Sequence, residues 1–90
     1  MDRVEDIKVE VKIYRDGELV NTINETGIHA YKRLATVLIS EKNDKKSTTV
    51  YGSIDSNTGT QIIKCKQHIH DTHIYEMLFT GLALEDLPRL

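Results

Sequence analysis

Ninety residues carrying 12 Lys+Arg against 14 Asp+Glu make one domain's worth of chain, too short for a second core and too acidic on balance to hold nucleic acid through bulk charge, which needs a basic surface. A composition 39% hydrophobic and 29% charged is that of a folded soluble domain and excludes a disordered one. The single cysteine excludes an internal disulfide and fits a reducing compartment.

The opening Met1-Asp2-Arg3-Val4-Glu5-Asp6 has no apolar stretch of the signal-peptide kind, and no run approaches the ~18 apolar residues of a membrane span. The expectation is a cytoplasmic protein, in which the sequon Asn24-Glu25-Thr26 goes unused.

From Ile7 to Tyr14 the chain alternates, with Ile7, Val9, Val11 and Ile13 on one face and Lys8, Glu10, Lys12 and Tyr14 on the other, the pattern of a half-buried strand. Asp16-Gly17 signals a turn. A three-residue loop with Gly17 left-handed would set Ile13 opposite Leu19 and Val9 opposite Ile23, burying more apolar surface than a two-residue loop, so a hairpin with a Gly17 bulge is expected. Asn24 or Thr26 can then cap a helix over Ile28–Ser40, whose period places Ile28, Tyr31, Leu34, Ala35, Leu38 and Ile39 on one face. The polar stretch from Glu41 to Ser47 ends it.

β-branched residues return at Thr48, Thr49 and Val50 and run through Tyr51 to Ile54, before the turn-forming Asp55-Ser56-Asn57-Thr58-Gly59. The return strand, from Thr60 to about His70, puts Ile63, Cys65 and Ile69 on one face and Ile62, Lys64, Lys66, His68 and His70 on the other. Asp71 or Thr72 can cap a second helix over about His73–Ala83, with Pro88 blocking orderly continuation. The expected fold is a single α+β domain over residues 1–90, in the order ββαββα: a two-layer sandwich of a four-stranded antiparallel sheet and two helices, with 84–90 as an extended tail.

Three surfaces carry chemistry. On a second helix, Ile74, Met77, Leu78 and Gly81 would form the core stripe, leaving Tyr75, Phe79 and Leu82 to its side and Leu84, Leu87 and Leu90 in the tail. An excess of apolar surface in so small a domain points to a protein interface, with a two-fold homodimer or another protein as partner. The alternative surface is a nucleic-acid or phosphate site along Lys64, Lys66, His68 and His70, extended by Lys8 and Lys12 if the strands are neighbours and interrupted by Glu10. Third, His68, His70 and His73 carry metal-ligand side chains, but at a spacing that matches no structural zinc pattern. Cys65 falls on the face opposite to the nearest histidines and reads as a small buried hydrophobe rather than a nucleophile.

No Gly-rich phosphate loop or nucleophile elbow is present. No cofactor is expected. The leading expectation is a non-enzymatic interaction module, a regulator, inhibitor or assembly factor, of the small and motif-poor kind that phages and mobile elements encode.

Overall fold

The computed structural model describes residues 4–70 and 72–82. After a single 3-10 turn at Val4–Asp6 come β1 (Lys8–Arg15), β2 (Glu18–Thr26), α1 (Ile28–Asn43), β3 (Thr48–Ile54), β4 (Gln61–His70) and β5 (His73–Leu82). The strands form one five-stranded sheet in the order β2-β1-β5-β4-β3, every pairing antiparallel. The α+β class and the presence of two hairpins are as the sequence predicts, while among the described residues the four-strand, two-helix count is corrected to five strands and one helix.

The correction lies in the segment read as a second helix. Residues 73–82 are the central strand instead, paired with β1 from Lys8↔Thr80 to Arg15↔His73 and with β4 on the other side. Here period 2 overrides period 3.6. Met77 and Phe79 point into the core, and Ile74, Glu76 and Leu78 fall on the opposite face by alternation. A strand at this position joins the two hairpins into one sheet, so that neither remains an isolated pair, which is marginal in water. Gly81 has φ 79°, a left-handed value that no helix interior accepts.

The first hairpin differs in its turn: the two-residue loop set aside above is the one that forms, and a bulge then shifts the register it would have carried along the strands. Arg15 pairs with Glu18 and Tyr14 with Leu19, so the loop is Asp16-Gly17 alone, and a bulge before Ile13↔Asn21 then brings Val11 opposite Ile23. Both loop residues have positive φ, 53° and 82°, the two-residue turn whose twist matches paired strands. Without the bulge, Ile23 would face the uncovered side; the extra residue, Val20, restores it to the core face.

The helix α1 lies over one face of the sheet. Its N-cap position is Gly27, with no side-chain cap, so neither Asn24 nor Thr26 serves; instead the Gly27 N–H donates to the Ile7 carbonyl at 2.9 Å. Its buried residues are Ala30, Leu34 and Val37, with Tyr31 and Leu38 partly buried beside them. Ile28 and Ile39, expected inward, are exposed. These residues meet Val9, Val11, Ile63, Cys65, Met77 and Phe79 of the sheet in one cluster. The Arg33 guanidinium donates to Glu25, tying the helix to β2 and holding the Glu25 carboxyl below its ordinary range. At the far end Asp44 accepts from the Lys46 N–H at 3.1 Å and from the Ser47 hydroxyl at 2.8 Å, an Asx turn that directs the chain from α1 into β3.

Candidate functional site

The face of the sheet away from α1 is uncovered among the described residues, and the strand register orders it into rows. Across one end run Leu19, Tyr14, Ile74 and His68. The next row is Thr22, Lys12, Glu76, Lys66 and Thr49, and beyond it come Asn24, Glu10, Leu78, Lys64 and Tyr51. Neighbours within a row stand about 4.5–5.5 Å apart at Cβ, so the middle row alternates Lys-Glu-Lys. Lys12 also lies 3.7 Å from Glu10. The centre is a shallow hollow of ≈ 400 Å³ between Lys12, Glu76, Lys66, Leu78 and Tyr51.

The end row is apolar and open. Leu19 is 51% exposed, and Tyr14 and Ile74 are half-buried. Val20 in the bulge and Ile69, just before the β4–β5 turn, are exposed at the same end. Sequence reasoning missed this patch because it depends on the turn: the register Tyr14↔Leu19, which the two-residue loop sets, places Leu19 on the open face, where the three-residue loop would have turned it to the core. The signal available was Asp16-Gly17, which favours the two-residue loop that creates it.

The predicted interface residues are placed otherwise. Phe79 and Leu82 are both 0% exposed, and half-buried Tyr75 packs against the core. Leu84, Leu87 and Leu90 lie outside the described residues. Burial of Phe79 and Leu82 follows directly from the strand: the sides of a helix became the inner face of a sheet.

Lys64 and Lys66 do share the open face, with His68 beyond them. Lys8 and Lys12 are not beside them, because β5 stands between β1 and β4 and inserts Glu76 and Leu78. Of the histidines, His68 lies on the open face, whereas His73 has the parity of core-facing Tyr75 and Met77. The side chain of His70 is outside the description. Among the described residues, no group of three His, Cys, Asp or Glu side chains is placed to hold a metal ion.

Cys65 is buried opposite Met77 and Val50, and burial pushes its thiol from the ordinary 9.0 up to about 12. The protonated form is retained in the folded chain while an unfolded chain ionises near 9.0. Its contribution to stability is therefore full below that value and declines as pH rises toward the folded pKa. Urea midpoints at about pH 8 and about pH 10 should fall in the wild type and fall less in Cys65→Ala. An aromatic disulfide reagent should label Cys65 only as fast as the domain opens.

No described helix is long and apolar enough to cross a membrane. Comparison with protein-family models, with curated proteins and with solved structures finds no match.

Proposed function

We propose that this domain is a small non-enzymatic interaction module, a regulator, inhibitor or assembly factor, which binds a partner protein through the uncovered face of its sheet and works as a homodimer. The observation that carries the reading is the row Leu19, Tyr14 and Ile74, bordered by alternating Lys12, Glu76 and Lys66. An open apolar strip flanked by charges of both signs suits a protein contact, since the apolar side chains supply affinity and the charges set the orientation of the partner.

Nucleic acid is less well served by the same face. Glu10 and Glu76 stand among the lysines, and a phosphate approaching Lys66 also meets Glu76, so little counterion release is left to drive binding.

The test uses the whole chain as bait in lysate of its host. Leu19→Asp with Leu78→Asp changes two side chains outside the core, so the melting temperature should hold while binding weakens by about 2 kcal/mol or more, roughly thirtyfold. Capture of the same protein by wild type and variant alike would remove the open face from the reading. A wild type that captures nothing would remove the reading itself.

A further inference from the structure

Among the described residues two strands have a neighbour on one side only, β2 and β3. An edge strand offers unpaired N–H and C=O groups, and natural sheets blunt it with charge, proline or a bulge. β2 is blunted: it carries Glu18 and Glu25, is bent by the bulge at Val20, and has Arg33 of α1 bound to Glu25. By contrast β3, Thr48-Thr49-Val50-Tyr51-Gly52-Ser53-Ile54, has no charged residue and no proline, and its pairing with β4 runs without a bulge. Tyr51 and Ile54, 65% and 64% exposed, are the most exposed large hydrophobic residues described.

The backbone phase of β3 can be read from its two ends. The His68 N–H donates to the Ser47 carbonyl and the Asp55 N–H to the Thr60 carbonyl, each at 2.8 Å. Hydrogen-bonded pairs alternate along an antiparallel ladder, so Thr49, Tyr51 and Ser53 turn their backbone groups to β4. Val50, Gly52 and Ile54 turn theirs outward. The remaining outward donor, the Thr48 N–H, is occupied by the Asp44 carbonyl at 3.2 Å.

We propose that β3 pairs antiparallel with β3 of a second copy about a two-fold axis through Gly52, joining two five-stranded sheets into one continuous sheet. This rests on the reading of the chain as a self-associating module and names the surface that does it. In this register Gly52 faces its own counterpart, and Val50 of each chain lies opposite Ile54 of the other. Each outward N–H of Val50, Gly52 and Ile54 then finds an outward C=O, and the exposed Ile54 gains an apolar neighbour. A strand that faces itself brings its own charges together; β3 has none, so pairing meets no repulsion. The axis stands normal to the sheet, which keeps both helices on one side and both open faces on the other. The two-fold contact is closed, and among the described residues the edges left are the blunted β2 strands. It is also small, below the ~1,200 Å² of a standard interface, and dissociates in the micromolar range, about 1–100 μM.

Sedimentation or light scattering of the full chain across that concentration range tests the pairing. The mass should climb from 10.3 kDa toward twice that value. Gly52→Pro removes the N–H at the axis without taking a bond from β4, and Tyr51→Lys with Ser53→Lys sets lysines opposite lysines, Tyr51 lying across from Ser53 of the other chain. Each should raise the dissociation constant about tenfold or more while leaving the circular dichroism unchanged. Gly52→Cys, at a position where a side chain meets nothing within 4 Å, should form a disulfide-linked dimer under mild oxidation. Should Gly52→Pro misfold, the lysine pair and the cysteine decide. A wild-type dimer that survives the lysine pair and fails to cross-link overturns pairing through β3 and leaves self-association standing. A wild type that stays monomeric throughout overturns both, an outcome that includes β3 taking an extended strand of another protein.

Discussion

Gly81→Ala is expected to be severely destabilised. At φ 79°, a Cβ on Gly81 would lie 2.1 Å from the carbonyl oxygen of Asp6 and 3.0 Å from its carbon. Both atoms are backbone and cannot swing aside, so β5 or the turn at Val4–Asp6 must move. Displacing either disturbs the core positions Ile7 and Leu82, both 0% exposed. The left-handed conformation alone costs alanine about 1–2 kcal/mol, and the clash adds more, against a total stability of about 5–15 kcal/mol for a domain of this kind. Gly59→Ala is the control: its φ of 71° carries the same conformational penalty, but a Cβ there meets nothing within 4 Å. Urea denaturation should show Gly59→Ala lower than wild type by about 1 kcal/mol and Gly81→Ala much lower still. Equal midpoints for the two variants would mean that the approach of Asp6 to β5 is not maintained in solution.

Phe79→Asp should abolish folding, where an interface reading of the residue would give a soluble monomer. Phe79 is among the largest fully buried side chains described, paired with Val9 on one side and Ile63 on the other. A carboxylate there is buried within the hydrophobic cluster, a penalty larger than the stability of the domain. The milder Phe79→Ala leaves a cavity and should cost about 3–5 kcal/mol, read as a fall in the urea midpoint at constant slope. Leu19→Asp, of the same chemical type but on the open face, should leave that midpoint nearly unchanged.

Most of the first two-thirds of the fold could be read from local patterns because β1, α1 and β4 each turn one apolar face to the core, whereas β2 turns Asn21, Ile23 and Glu25 that way and its register could not be read. β1 alternates cleanly, and Thr48–Ile54 and Gln61–His70 emerge within a residue of their expected bounds. The last strand could not be read that way. It lies at the centre of the sheet with Ile74 and Leu78 on its open face, so apolar residues fall on both sides and mask the alternation that marks an edge or a half-buried strand. Its composition of Ile, Tyr, Phe and Thr favours a strand over a helix, and Gly81 closes it; both signals outweigh a stripe at helical spacing. The site suffered from the same error. With residues 73–82 as a helix, Phe79 and Leu82 become surface, whereas as a strand they become core and the uncovered surface moves to the opposite face. The β3 edge was legible in composition, being uncharged, but its position at the rim depends on strand order, which only non-local pairing decides.

That β1 and β5 lie side by side at the middle of the sheet has a bearing on how the domain is made. Lys8 and Thr80, partners in the ladder, are 72 positions apart, so the contact that closes the sheet forms after nearly all of the described chain has left the ribosome. Until then the β1–β2 hairpin and the β3–β4 hairpin each have an open inner edge, and Val9, Val11, Ile63 and Cys65 have no central strand to pack beside. Closing so long a loop is slow, and during the delay four edges are exposed where the finished sheet of described strands has two. A nascent or truncated chain lacking Met77 and Phe79 is therefore the form most prone to aggregate, and a chaperone that shields apolar hairpins would act on this protein before its last strand arrives.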